Sequence, residues 1–202
     1  MPRPSNTEER RQQIVNGLLK VMAERGYERA SVGEIAKAAG LSPGLVHYHF
    51  SDKQEILLTL VGQLASRGRE RVETRLAKLK DDDARARVDA FIDAFLSTGA
   101  DAAPEAVASW VTISAEAIRQ PEVRAAYESV VRADLEQLES LVAAVTGKRK
   151  ARALAAGLFA AVQGYFALSA SAPGLVPPGS AAGTVKRMAA GLLDTAGARE
   201  DA

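Results

Sequence analysis

The chain contains no cysteine, and this absence excludes several kinds of chemistry from its 202 residues. Without a thiol there is no disulfide, no thiolate metal site and no cysteine nucleophile. Histidine is nearly absent as well, since His47 and His49 are the two copies in the sequence. Residues spaced i and i+2 on a helix lie on different faces, so this pair is a poor metal site. We expect no metal.

An excess of charge of one sign is also missing. The net charge is +1, and the segment up to Lys53 holds eight Lys or Arg against six Asp or Glu. Many DNA-binding domains are more basic than this, so the charge balance alone does not argue for nucleic acid. If the chain binds DNA, the placement of a few charges must matter more than their total.

Strongly apolar runs are lacking. The first ten residues contain no apolar segment, so we expect no signal peptide and a location in the reducing cytoplasm. Residues 153–173 carry no charge and are long enough to span a membrane. They consist mostly of Ala, Gly and Ser, which suit close helix packing better than lipid. We therefore expect no membrane partner.

Strand signals are absent too, because no segment alternates apolar and polar residues and no Asn-Gly hairpin turn occurs. Apolar residues recur instead at helical spacing, which predicts an all-α fold of about nine helices. The expected features, in chain order, are a first helix at about 7–25, a fourth reaching Leu79 before the charged run 80–83, a fifth ending near Gly99, first-turn prolines at Pro104 and Pro121, an eighth at about 148–171 and a ninth at about 180–194.

Helix-start signals crowd the segment 31–56. Ser31 and Glu34 have the spacing of a capping box, and Gly40 can end the helix that they begin. Ser42 followed by Pro43 predicts another start, and Asp52 with Glu55 repeats the capping-box spacing. Two short helices joined by a Gly-centred turn indicate a helix-turn-helix, whose second helix can enter the DNA major groove. We expect a DNA-binding domain over 1–53 and a larger helical domain over 54–202.

At these residues the chain resembles the TetR family of bacterial transcriptional regulators. The resemblance spans about 8–57 and is carried by Gly26-Tyr27, Ser31-Val32, Ile35-Ala36, Ala39-Gly40, Leu41-Ser42-Pro43-Gly44, His47-Tyr48-His49-Phe50 and Lys53. The chain departs from the family at Leu45 and His47, where members often have Thr and Tyr. The stretch 110–116 and the residues 121–124 resemble the C-terminal domain of the choline-sensing (BetI-type) subfamily.

The resemblance implies a cytoplasmic, nucleoid-associated homodimer that binds double-stranded palindromic operator DNA, most often as a repressor. It also implies release by a small-molecule effector bound in a C-terminal ligand-binding and dimerisation domain. Gly44 lets the backbone approach DNA closely, Ser31 and Ser42 cap helices whose N-termini would face phosphates, and His47 and Tyr48 can bond phosphates or base edges. The candidate DNA-binding residues are Ser31, Val32, Ser42, Pro43, Gly44, Leu45, His47, Tyr48, His49 and Lys53.

Aromatic residues are few, at 5% of the chain, and those of the larger domain either fill its core or line a cavity. Cavities for small ligands combine apolar walls with a few polar anchors. The candidate pocket residues are Phe91, Phe95, Trp110, Glu116, Tyr127, Phe159, Gln163 and Tyr165. For a cationic effector, Trp110 or Tyr165 could supply a cation–π contact and Glu116 a negative charge.

Small residues recur along the eighth helix and would let another helix approach closely. Together with the ninth helix they predict a four-helix dimer interface. The candidate interface residues are Ala153, Gly157, Ala160, Ala161, Gly164, Val185, Met188 and Leu192.

Two other classes of function compete with a regulator. For an enzyme we find no Gly-rich phosphate loop and no Ser-His-Asp pattern, so we expect neither catalysis nor a cofactor. A helical protein-interaction module without operator binding is the second alternative. Its helix-turn-helix would hold a partner protein in place of DNA.

Overall fold

A computed structural model describes residues 6–80, 83–96 and 104–197. Within these ranges the chain forms helices and no strand, as the hydrophobic spacing predicts. The helices are α1 (Asn6–Arg25), α2 (Val32–Ala39), α3 (Pro43–His49), α4 (Lys53–Leu76), α5 (Ala84–Leu96), α6 (Pro104–Arg119), α7 (Pro121–Thr146), α8 (Lys148–Ser171) and α9 (Ser180–Gly197).

The caps of α2 and α3 form as the sequence predicts. The Ser31 hydroxyl accepts the Glu34 N–H at 3.2 Å, and the Glu34 carboxylate accepts the Ser31 N–H at 3.1 Å. Gly40 ends α2 with φ 69°, a left-handed conformation that disfavours residues with a Cβ. The Ser42 hydroxyl then accepts the Leu45 N–H at 3.3 Å, with Pro43 in the first turn of α3. The turn between α2 and α3 is therefore held at both ends.

The start of α4 differs in detail from the expected capping box. Asp52 accepts the Glu55 N–H at 2.8 Å, as expected for an N-cap. The Glu55 carboxylate, however, accepts the Ser51 N–H at 2.8 Å and the Ser51 hydroxyl at 2.9 Å. Glu55 therefore also ties down the link between α3 and α4.

The predicted continuation of α4 to Leu79 is wrong. The helix ends at Leu76, because the N–H groups of Lys78 and Leu79 donate to carbonyls three residues back, those of Arg75 and Leu76. Such bonds tighten the last turn and end an α-helix.

The other helix limits lie near their expected places. Pro104 and Pro121 open α6 and α7, α8 has the expected limits, and α9 extends three residues beyond the predicted Asp194. The predicted end of α5 near Gly99 lies outside the described residues.

Internal contacts divide the chain into two units. Residues 6–65 and 104–128 form unit 1, and the described residues among 66–96 and 129–197 form unit 2. Unit 1 therefore contains the first half of α4, all of α6 and the beginning of α7 besides the three N-terminal helices. The predicted domain limit at 53/54 stays a prediction.

The core of unit 1 forms around α1. Ile14, Leu18 and Met22, spaced by four residues, are buried together with Ile35 of α2 and Phe50 after α3. Their spacing places them on one face of α1, against which α2, α3 and α6 pack. The Ser109 hydroxyl of α6 donates to the Leu19 carbonyl at 3.4 Å.

Unit 2 contains the end of α4, most of α7, and α5, α8 and α9, of which the last three pack against one another. Phe91 and Ile92 of α5, Val162 of α8 and Val185 of α9 are fully buried. Ion pairs join α5 to α9, among them Lys186 to Asp93 at 3.0 Å and Arg85 to Asp194 at 2.8 Å.

Within the described ranges, α8 is the one helix long and apolar enough to cross a membrane by length and composition. A core helix of a soluble protein can pass the same test. Of its most apolar stretch, 22% is buried in the structure, so much of α8 presents small residues at the surface. The absence of a membrane partner stays a prediction.

Candidate nucleic-acid interface

The helix α3 has a buried side and an exposed side. Val46 and Phe50 are 1% and 2% exposed, which confirms that these two residues belong to the core of unit 1. His47 and Tyr48 lie on the exposed side, and His49 is half-buried. The helix is thus anchored by one face and presents the other to a partner.

Tyr48 is the most prominent side chain of this surface. It is 79% exposed, whereas large aromatic side chains usually bury most of their area. Its ring centroid lies 5.0 Å from that of His49, with the two rings at 87°. This edge-on contact holds an aromatic ring with a hydroxyl at the surface, ready to contact a partner.

The first turn of α3 is open to solvent. Ser42, Pro43 and Gly44 are exposed, and a Cβ at Gly44 would meet nothing within 4 Å. Among the described residues, no packing therefore requires a glycine there. The open space suits a partner that approaches the backbone closely. Leu45 is half-buried behind this turn.

The other predicted contacts on α2 lie at its start. Ser31 is exposed and Val32 half-buried. The pKa of Glu34 lies below its ordinary value, mainly because its carboxylate accepts hydrogen bonds from Ser31. The positive charge of Arg25 lowers this pKa further, to a smaller extent. The Arg25 guanidinium lies 2.7 Å from this carboxylate. The capping group of α2 is therefore ionised and held in place.

Lys53, a predicted DNA contact, also makes contacts within the protein. Its ammonium group donates to the Tyr27 carbonyl at 3.0 Å and lies 4.2 Å from the centroid of the Tyr27 ring. Burial, then the charges of Glu116 and Asp52, raise the pKa of Tyr27 to about 12, so the ring stays neutral under the cation. Lys53 thus anchors the segment between α1 and α2 to α4.

Arg11 is a residue of this region whose contacts the sequence pattern did not reveal. Its guanidinium donates to the His49 carbonyl and, at 2.9 Å, to the Glu55 carboxylate. It also lies 3.9 Å from the centroid of the Phe50 ring. From the sequence, a basic residue near the start of α1 suggests at most a phosphate contact. No pattern of neighbouring residues around position 11 indicates a contact with residues 49–55.

Within the described residues, no group of three or more His, Asp or Glu side chains is arranged to hold a metal ion. The groups that the surface of α3 does offer are hydrogen-bonding side chains and an aromatic ring.

Family comparisons agree with this geometry. Residues 14–60 match the family of bacterial regulatory proteins of the TetR type, and residues 84–194 match the C-terminal part of BetI-type transcriptional repressors. The second match alone covers more than half of the chain. The protein belongs to the TetR family. Its members are transcriptional regulators, which confirms the expectation that the chain is not an enzyme.

Individual proteins are also similar to this chain. The transcriptional regulator BetI of Rhizobium meliloti is 34% identical over 134 residues, 61% of this chain and 60% of that protein, so the match spans less than two thirds of the relative. A transcriptional regulator from Rhodococcus sp. Rha1 has the same fold, with a TM-score of 0.82, 24% identity and coverage of 93% and 97%. A regulator from Saccharomonospora viridis, crystallised in complex with choline, also has this fold, with a TM-score of 0.74 and 21% identity. The match covers 92% of this chain and 96% of that one. These two structures show the fold alone.

The predicted pocket residues of this TetR-family protein fall in both units. In unit 1, the Trp110 and Tyr127 rings lie 5.0 Å apart at 35°. Glu116 is 7% exposed and accepts the Gln120 amide at 2.7 Å. Burial raises the pKa of Tyr127.

Unit 2 holds a second aromatic cluster. The Phe95 ring lies 5.0 Å from Phe91, 6.5 Å from Phe159 and 6.3 Å from Phe166. Phe91 and Phe159 are buried, while the predicted Gln163 and Tyr165 are half-buried on α8. These phenylalanines pack on one another, and the pocket stays a prediction.

The predicted dimer residues lie mostly on an exposed face of α8 and α9. The exposed members are Ala153, Gly157, Ala160, Gly164, Met188 and Leu192, and Ala161 is half-buried. Val185 is the exception and corrects the prediction, because it is fully buried within unit 2 and belongs to its core.

Proposed function

We propose that this TetR-family regulator is a cytoplasmic, nucleoid-associated repressor that binds a palindromic operator as a homodimer and leaves it when a small molecule binds. The observation that supports DNA binding is the exposed side of α3, where the Tyr48 side chain is 79% exposed. Ser42 caps the start of α3 and Asp52 the start of α4, on either side of this residue. Regulators of this architecture place such a helix in the major groove, where side chains read base edges.

The homodimer is supported by the exposed small-residue face of α8 and α9, which we call the α8–α9 face. Its members at 153, 157, 160 and 164 recur at helical spacing, and Met188 and Leu192 of α9 are 47% and 37% exposed. An apolar face of this kind is typical of a surface that a second copy covers. Two-fold symmetry would then place two α3 helices about 34–36 Å apart, one turn of DNA.

The dimer can be tested by sedimentation equilibrium of the purified chain. We expect a dimer for the wild type, a monomer for Gly157→Glu and a dimer for Ala133→Glu, which adds the same charge at an exposed site on α7. A Gly157→Glu variant that stayed dimeric with full operator affinity would contradict this interface.

For the effector we propose a small organic cation of the quaternary ammonium class. The BetI-type match over 84–194 and the choline bound by the Saccharomonospora viridis regulator support this class. In unit 1, the tilted Trp110 and Tyr127 rings offer π surfaces, and Glu116 offers a buried carboxyl group. Aromatic rings and carboxylates are the groups that recognise such cations.

Trp110 is the single tryptophan of the chain, so its fluorescence reports on this part of unit 1. We expect choline to change the emission and to weaken operator binding. Its neutral analogue 3,3-dimethylbutan-1-ol has the same shape without the charge and should do neither. Equal responses to both compounds would contradict a cationic effector.

Operator binding itself is tested by selecting fragments of genomic DNA with the immobilised protein and sequencing them. A shared palindrome, confirmed by gel shift, is the expected result. Recovery of random fragments alone would favour the helical protein-interaction module in place of a regulator that binds an operator.

A further inference from the structure

We infer that Arg11 is a positioning residue for DNA recognition, which holds the C-terminal end of α3 and does not itself contact DNA. The inference rests on the proposed DNA binding by α3. It assigns a role to a basic residue that would otherwise count among the possible phosphate contacts.

The guanidinium of Arg11 is occupied from three directions. One amino group donates to the His49 carbonyl, and the other lies 2.9 Å from the Glu55 carboxylate. The central carbon of the group, Cζ, lies over the Phe50 ring, 3.9 Å from its centroid. The side chain is 34% exposed, so it faces the protein more than the solvent. An arginine can make these contacts together because its planar fork donates in two directions and stacks on a ring.

The contacted atoms are those that fix the end of α3. The His49 carbonyl is in the last turn of the helix, where carbonyls have no partner within the helix. Glu55 completes the arrangement, since its carboxylate also accepts the N–H and hydroxyl of Ser51. Hydrogen bonds to Ser51 and Arg11 lower the pKa of Glu55, which keeps the carboxylate ionised at neutral pH. The link between α3 and α4 is thus tied to α1 through one side chain.

The loss of Arg11 would affect DNA recognition by changing the position of Tyr48. Its ring rests edge-on against the ring of His49, whose own carbonyl accepts the Arg11 bond. If Arg11 is lost, the end of α3 loses the restraint that sets the direction of the Tyr48 ring. Base-specific contacts depend on such directions, whereas contacts to phosphates depend mainly on charge.

Arg10 offers a matched control because it is the preceding residue and carries the same charge. Its guanidinium donates to Gln13 within α1 at 2.8 Å, an exposed contact that does not reach α3. Replacing either arginine by glutamine removes one positive charge. Differences between the two variants therefore report on the contacts of Arg11 and not on net charge.

The test compares Arg11→Gln, Arg11→Lys and Arg10→Gln in gel-shift titrations on the selected operator and on random DNA. We expect both Arg11 variants to lose about tenfold in operator affinity. On random DNA, Arg11→Gln should stay within about twofold of Arg10→Gln, and Arg11→Lys, which keeps the charge, within about twofold of the wild type. Lysine keeps the charge but neither the fork nor the stacking, so it should not rescue. Wild-type affinity in Arg11→Lys, or equal losses in Arg11→Gln and Arg10→Gln, would overturn the inference.

A second readout separates positioning from a general loss of stability and does not need an operator. With two histidines in the chain, the ring resonances of His47 and His49 are resolved easily by NMR. Both Arg11 variants should shift the His49 ring resonances while the circular dichroism stays that of a folded helical protein. Unshifted resonances would overturn the inference. Shifted resonances in a protein that selects no operator would overturn the proposed function and leave the placement of α3 by Arg11 supported.

Discussion

A Cβ atom at Gly17 would lie 2.7 Å from the carbonyl oxygen of Ile35 and 3.1 Å from the Cβ of Ala39. The helices α1 and α2 therefore approach each other at a point where any side chain on Gly17 would strike the backbone. This close approach fixes α2, and through the turn at Gly40 it fixes the position of α3.

Replacing Gly17 by alanine should destabilise unit 1 by about 1–3 kcal/mol, the usual cost of overpacking, despite the higher helix propensity of alanine. Gly62 in α4 is the control, since a Cβ there would meet no atom of the described residues within 4 Å. Gly62→Ala should be neutral or stabilising by up to about 1 kcal/mol. Urea denaturation of both variants checks this, and a Gly17→Ala protein as stable as the wild type would show that the helices can separate freely.

Replacing Tyr48 by alanine should relax the choice of operator by about 1–3 kcal/mol for each lost base contact. Because the ring is exposed, the stability of the protein should hardly change. Tyr48→Phe keeps the ring and its contact with His49, so it separates the contribution of the hydroxyl. Gel-shift titrations on the operator and on single-base variants provide the measurement. Unchanged preference in Tyr48→Ala would remove Tyr48 from the recognition surface.

Replacing Lys53 by alanine should affect both stability and DNA binding. The change removes the bond to the Tyr27 carbonyl and the contact with its ring. If one ammonium donor also reaches a phosphate, binding should weaken on all sequences and the salt slope should fall by about one unit. A variant with lower stability and an unchanged salt slope would show that Lys53 acts only as an anchor.

The sequence predicts the local features of this site well and its long-range contacts poorly. The starts of α2 and α3 depend on residues three positions apart, such as Ser31 and Glu34, so they are visible as a pattern. The contact of Arg11 with the His49 carbonyl joins residues 38 positions apart, and no periodicity reveals it. The same holds for Ser109, whose bond to the Leu19 carbonyl places α6 in unit 1.

Surface and core are also hard to separate by composition alone. Val185 and Leu192 of α9 are both apolar and seven residues apart, yet one is fully buried and the other 37% exposed. Two helical turns cover slightly more than seven residues, so the two positions lie on nearly the same side of the helix. Which of them is buried depends on where α5 and α8 pack against α9, and that is a tertiary contact.

Acid should weaken the helix-turn-helix through Glu34 and Glu55. Both have a lowered pKa in the folded chain, mainly because backbone N–H groups of Ser31 and Ser51 bond to the charged carboxylates. The stabilisation is present above the pKa of the unfolded chain, about 4.3, and is lost as the pH falls through the lower folded value. A double variant with both residues changed to Gln should show a flatter loss of stability below about pH 4. An unchanged acid limb in denaturation experiments would contradict this assignment.

Ionisation of Asp134 of α7 should make the protein less stable as the pH rises, the opposite of the effect of Glu34 and Glu55 and at a higher pH. Burial, against the opposing charges of Arg69 and Arg71, raises its pKa to about 6. The folded chain then holds a proton that the unfolded chain releases above about 3.9, so wild-type stability falls as the pH rises from 4 to 6. Asparagine does not titrate, and the stability of Asp134→Asn relative to the wild type should rise by about 1–2 kcal/mol over this interval, allowing for residual solvation. Glu136→Gln, an exposed carboxyl on the same helix, controls for the loss of a negative charge. If urea denaturation between pH 4 and 7 gives parallel curves for Asp134→Asn and the wild type, the carboxylate is already ionised throughout this range.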